Sequence, residues 1–128
     1  MGQQYLIDSN ALIDYLSGKL PADAVSFLNQ VINDIPNISV ITKIEVLGFK
    51  TTREASTLLS NFIDDSIVFG LSDEIVEQTI ALRKEHKIKT PDAIIAATAL
   101  VNNLSIISRN ITDFKSIQDL GIVNPYDL

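Results

Sequence analysis

The sequence predicts an α/β fold: a three-layer α/β/α sandwich around a central, mostly parallel sheet of four to five strands, in one domain spanning residues 1–128. Three observations predict it. Short apolar runs recur along the chain, each followed by a segment whose apolar residues return at helical spacing, and that alternation suits a parallel sheet covered on both faces. Residues 93–101 are apolar nearly all round, as a helix packed inside such a sandwich must be. The composition is 46% apolar, with no cysteine and a single histidine in 128 residues. That describes a core held by packing alone; it excludes disulfides, thiolate catalysis and cysteine–zinc sites, and it argues against histidine-based triads and multi-histidine metal sites.

The first strand is predicted over 4–7. It ends in Asp8-Ser9-Asn10, polar residues suited to cap a helix over 11–16, which Ser17-Gly18 stops. From Ala24 the apolar positions Phe27, Leu28, Val31 and Ile32 fall at i+3, i+4, i+7 and i+8, an amphipathic helix with Pro36 beyond its end. A second strand over 38–41 runs through Thr42 into a short helix over 43–47. Ala55, Leu58, Leu59, Phe62 and Ile63 share one face of the next helix and are expected in the core, and 66–69 is the third strand. Ser72 caps a helix with Asp73 and Glu74 in its first turn and Arg83 and Lys84 in its last, matched to the helix dipole at both ends. Thr90-Pro91-Asp92 reads as a helix start, Thr90 the N-cap and Pro91 the first helical residue, ahead of the buried 93–101. Residues 104–108 form the fourth strand, and Ile122-Val123-Asn124 an edge strand before Pro125.

Sixteen acids against ten bases leave a net charge of −6, which disfavours passive binding to phosphate backbones. Acids gathered around divalent cations reverse the local potential, so the charge counts less against a metal-dependent nuclease. The first residues carry no basic stretch, Asp8 interrupts the opening apolar run, and 93–101 falls far short of the about 20 residues that cross a bilayer. A cytoplasmic protein without a membrane partner is expected.

In a parallel α/β sheet, ligands bind beyond the carboxyl ends of the strands. Asp8 directly follows the first strand, Glu45 lies one helical turn after the second, Asp113 follows the fourth, and Asp92 opens the helix leading into that fourth strand. These four acids can therefore converge. Such a cluster repels itself unless protons or cations occupy it, and oxygen ligands without His or Cys suit Mg2+ or Mn2+. Each acid has a plainer reading too: Asp8 and Asp113 as caps, Asp92 as a partner of its helix dipole. Glu45 stands out because Ile44, Val46 and Leu47 around it are apolar.

The local wording narrows the choice. Asp8-Ser9-Asn10-Ala11-Leu12-Ile13 after a strand, Thr42-Lys43-Ile44-Glu45-Val46-Leu47, Thr90-Pro91-Asp92-Ala93-Ile94-Ile95-Ala96-Ala97 and Ser108-Arg109-Asn110-Ile111-Thr112-Asp113-Phe114 resemble, in order, the motifs of the PIN-domain family. The resemblance covers essentially the whole chain, and the short length is similar to VapC-type toxins of toxin–antitoxin pairs. It implies an Mg2+- or Mn2+-dependent endoribonuclease with Asp8 and Asp92 as principal metal ligands, and Glu45 and Asp113 completing the pocket directly or through waters. Ser9, Asn10, Ser108 and Asn110 would be polar helpers; Ser108 stands where many relatives have Thr, which keeps the hydroxyl. The resemblance also implies an RNA substrate, a homodimer and a cognate antitoxin that obstructs the site.

Arg109, Lys43 and Lys89 are candidate RNA contacts, although an ion pair explains Arg109 as well, and the basic run 83–89 can equally be a solvated helix end. His86 is expected at an exposed helix end. Phe49, Leu58, Leu59 and Phe62 could form a partner surface, but periodicity places the last three in the core. Among rival functions, a phospho-receiver domain needs an acceptor Asp after its third strand, where Phe69-Gly70-Leu71 stands, and a haloacid-dehalogenase-type phosphatase needs an Asp at Asn10. A non-catalytic interaction module on the same fold would be expected to have lost one or more of the four acids.

Overall fold

The computed structural model describes residues 4–128. Residues 1–3, on which the expectation of no leader partly rests, lie outside that span. The elements run β1 (Tyr5–Ile7), α1 (Ser9–Leu16), α2 (Ala22–Asn33), β2 (Asn37–Ser39), α3 (Val40–Leu47), α4 (Arg53–Asp64), β3 (Ile67–Phe69), α5 (Asp73–Glu85), α6 (Thr90–Val101), β4 (Ser105–Ile107), α7 (Ile111–Phe114), β5 (Ile122–Val123) and a final 3-10 turn (Pro125–Asp127). The five strands order as β3-β2-β1-β4-β5, and the pairings among the described residues are all parallel.

Strand alternation builds two cores from one sheet. Successive side chains point to opposite faces, so Leu6 and Ile106 pack on one side with Ile75, Leu82, Ile95 and Phe114. Their neighbours Ile7 and Ile107, with Ile38, pack on the other side with Leu12, Leu28, Leu59 and Ile63. Helices α5 and α6 thus cover one face, and α1, α2 and α4 the other. In α6 every residue from Ala93 to Ala99 is buried, and five of those seven are Ala or Thr; that lets the helix sit tightly against both sheet and α5. No helix among the described residues is long and apolar enough to cross a membrane.

Several local expectations shift. The second strand stops at Ser39: its hydroxyl accepts the Ile41 amide at 3.1 Å and caps α3, so Val40 and Ile41 are helical despite their β-branching. The first helix begins at Ser9, because Asp8 itself is the cap. At α6 the N-cap is Lys89, and Thr90 and Pro91 are already inside the helix. Leu58, expected in the core, is exposed, while Leu59 and Ile63 on the same helix are buried; the apolar face of α4 is wider than the surface it covers. Helix α7 and the 3-10 turn are too short to leave a periodic signal.

If each face of the sheet is separately packed, Ile106→Ala and Ile107→Ala should each lower stability by about 2–5 kcal/mol in urea denaturation. A loss below about 1 kcal/mol from either would show that its face is not close-packed.

Candidate active site

Strand order turns back at β1, which has β2 on one side and β4 on the other, so a crevice opens between the carboxyl ends of β1 and β4. Asp8 and Ser108 are the residues immediately beyond those ends, and both are buried. The Asp8 amide donates to the Ile107 carbonyl at 2.9 Å, extending the ladder into the site. Ser108 Oγ donates to Asp8 Oδ2 at 2.7 Å, Asn10 Nδ2 donates to the same oxygen at 3.2 Å, and the Ser9 amide donates to Oδ1 at 2.8 Å. Asp8 is therefore both a helix cap and a carboxylate with a donor on each oxygen. Burial raises its pKa above the ordinary carboxylate range, opposed by the bonds from Ser108 and Ser9.

The other three acids gather around the same crevice. Asp92 sits in the first turn of α6, where the helix dipole favours its charge. Its pKa is nonetheless pushed up to about 6, first by burial, then by the charges of Asp113 and Asp8, by a hydrogen bond with Asp113, and by the charge of Glu45. One carboxyl thus feels all the others. Asp113, in α7, is exposed and accepts from Asn110 Nδ2 at 2.6 Å. Glu45, on α3, is exposed and accepts from Ser9 Oγ at 2.6 Å. Its apolar neighbours do not enclose it: Ile44 and Leu47 are 62% and 45% exposed, and only Val46 is buried. The partner that Glu45 does have is a hydroxyl.

Every predicted polar helper finds an acid or another helper. Ser9 holds Glu45, Asn10 and Ser108 hold Asp8, and Asn110 holds Asp113 while its own amide donates to Ser108 Oγ at 3.0 Å. Among the described residues, none of the four acids has a lysine or arginine in ion-pair contact. Nor do any three Asp, Glu or His side chains there close around a point from which they could grip one ion directly. An all-oxygen donor set with that spacing suits a cation that keeps much of its own water, as Mg2+ does, bound through one or two carboxylates.

The basic candidates behave differently from one another. Lys43 and Lys89 are exposed, two residues before Glu45 and three before Asp92. Arg109 is committed to an ion pair with Asp14 at 3.0 Å. Arg83 and Lys84 occupy the last turn of α5, and His86 is its half-buried C-cap, with Nδ1 3.4 Å from Ser116 Oγ. Sequence reasoning alone does not single out Asp14 or Tyr126. The one signal it offers is the spacing of Asn10 and Asp14, one helical turn apart on a helix with apolar neighbours. An open hollow of about 560 Å3, lined by Tyr5, Phe27, Val31 and Ile35, lies at the amino ends of the strands, away from the acids.

Known proteins share this architecture. A family model described as PIN domain matches residues 5–120. A toxin–antitoxin complex from Klebsiella pneumoniae contains a chain 32% identical, covering 98% of this chain and 100% of that one, with a TM-score of 0.79. VapBC2 from Rickettsia felis, bound to a DNA fragment from its promoter, matches at 21% identity, 95% and 98% coverage and a TM-score of 0.80. DNA-bound VapBC from Salmonella typhimurium matches at 20% identity, 97% and 99% coverage and 0.81. The latter two likenesses concern the fold. No curated protein sequence matches the chain significantly.

Because Asp92 binds its proton more tightly folded than unfolded, it contributes stability that is complete below about pH 3.8 and lost as pH rises through about 6. Metal-free protein should therefore lose thermal stability across that window, and Asp92→Asn should flatten the slope. An unchanged slope in the variant would mean that the crowding is not centred on Asp92.

Proposed function

Since this chain belongs to the PIN-domain family, we propose that it is a divalent-metal-dependent endoribonuclease, the toxin of a toxin–antitoxin pair, with residues 1–128 acting as one nuclease domain. The observation that carries this reading is the crevice itself. Burial, and after it the charges of the other three carboxyls, push Asp92 up to about 6, and those three are each steadied by a hydroxyl or amide donor. Repulsion of that kind costs stability, and it is a cost without return unless a cation enters.

Asp8 and Asp92 would be the principal ligands of Mg2+ or Mn2+, with Glu45 and Asp113 reached directly or through waters. When bound, the ion would supply Lewis acidity toward the phosphodiester and lower the pKa of an attacking water. The protein's own part is orientation. Ser108 and Asn10 fix the Asp8 carboxyl plane, Ser9 tethers Glu45 to the start of α1, and Asn110 ties Asp113 to the end of β4. The proton lost by the attacking water passes to solvent-facing Glu45 or Asp113. Attack at phosphorus with departure of O3′, which takes a proton from solvent, leaves a 5′-phosphate and a 3′-hydroxyl. Exposed Lys43 and Lys89, near Glu45 and Asp92 in the chain, would meet neighbouring phosphates.

A toxin needs an antitoxin, and the Klebsiella pneumoniae relative belongs to a toxin–antitoxin complex. Exposed Ile44, Leu47 and Phe49 lie beside Glu45 and would form the apolar margin of that contact, and Val76 and Ile80, one turn apart on α5, a strip for a second copy in a homodimer. A cytoplasmic location accords with an RNA substrate.

Wild type should cleave total RNA only with Mg2+ or Mn2+ present and leave 5′-phosphate ends, while Asp92→Asn should be slower by about 100-fold or more. Mn2+ titration should show binding weakened more than about tenfold by Asp8→Asn. An isotherm identical to wild type would overturn the assignment.

A further inference from the structure

Asp14 takes no part in the acid cluster, yet its side chain is only 8% exposed. A carboxylate withdrawn from water is costly unless partners compensate. Both of its partners close on one oxygen: Arg109 Nη1 donates to Asp14 Oδ2 at 3.0 Å, and the Tyr126 hydroxyl donates to it at 2.9 Å. The bond to that carboxylate also raises the Tyr126 pKa, as expected where the phenol proton is the one donated.

The identity of those two partners gives Asp14 its reach. Arg109 lies between Ser108 and Asn110, and its amide donates to Asn10 Oδ1 at 3.2 Å. Asn10 and Asp14 are four residues apart on α1 and so share a face. Together they grip one residue by its main chain and its side chain. Tyr126 belongs to the 3-10 turn at the end of the chain, anchored by buried Pro125 and capped by Asn124.

We infer that Asp14 is a positioning residue: through Arg109 and Tyr126 it locks residues 108–113, which carry Ser108, Asn110 and Asp113, together with the C-terminal turn, onto the helix that follows Asp8. Its effect on catalysis rests on the ribonuclease reading above; its effect on the segment does not. Arg109 accordingly serves as a strut between two parts of the site, its Nη1 engaged by Asp14.

The cleanest variant is Tyr126→Phe, which removes one hydroxyl and leaves Asp14 paired with Arg109, so that the chain still folds. In hydrogen exchange of the metal-free full chain, amides of 108–113 should exchange about three- to tenfold faster than in wild type, with 5–7 and 105–107 unchanged. Arg109→Gln should loosen the same segment further, and Arg109→Lys should recover part of the protection. In RNA cleavage both Tyr126→Phe and Arg109→Gln should lower kcat and leave KM in place. Unaltered exchange across 108–113 in both variants would overturn the inference, as would equal acceleration throughout the chain. A raised KM with normal exchange in Arg109→Gln would overturn it too and make Arg109 an RNA ligand. Should wild type cleave no RNA, the ribonuclease reading falls, and the exchange experiment still decides this one.

Discussion

The hydrogen bond from Ser108 Oγ to Asp8 Oδ2 joins residues 100 positions apart in the chain, and it exists only because β4 lies beside β1. That parallel pairing, with Tyr5, Leu6 and Ile7 in register with Ser105, Ile106 and Ile107, puts the two strand ends level. The residues just past each strand must then share one small volume. Asp8 and Ser108 are forced together, and the first turns of α6 and α7 are brought to the same edge. The site is a consequence of register, and register is set by burial: shifting either strand by one residue would turn Leu6 or Ile106 from one core to the other.

Holding carboxyls there works against stability. Burial and mutual repulsion push Asp92 up to about 6, although it stands at a helix N-terminus that favours its charge. The fold tolerates this because its two apolar layers are independent of the crevice, and because hydroxyl and amide groups, which carry no charge, do the orienting. A lysine in the place of Ser9 or Asn110 would relieve the repulsion with its own charge. The chain uses neutral donors next to Asp8, Glu45 and Asp113, and its one nearby guanidinium is engaged by Asp14.

Helix α1 is the common mount. Its cap is Asp8, its first residue Ser9 reaches Glu45, Asn10 touches Asp8, Ser108 and the Arg109 amide, and Asp14 holds the Arg109 side chain. Two turns of helix therefore gather strands β1 and β4, helix α3 and the C-terminal turn. The Klebsiella pneumoniae relative matches over this whole length, so the fold that carries the arrangement is shared even where most residues differ.

Much of this was legible in the sequence. Strand and helix order and the buried α6 follow from periodicity and capping chemistry, which are local properties read over a few residues. The four acids follow strand ends and a helix start by spacing, and the resemblance to PIN-domain motifs is what joined them into one site with their polar helpers. Element ends were less legible: whether Val40 and Ile41 extend a strand or begin a helix depends on where the Ser39 hydroxyl turns, and whether Leu58 is covered depends on how wide a surface α4 meets. By itself the sequence determined which segments are apolar, which are polar and in what order they come, and hence an α/β sandwich with acids at strand ends. Only the tertiary structure decided which oxygen each donor faces, that Ile44 and Leu47 leave Glu45 in the open, and that Asp14 and Tyr126 close on Arg109. Those depend on contacts between residues far apart in the chain, and no local pattern encodes the distance between them.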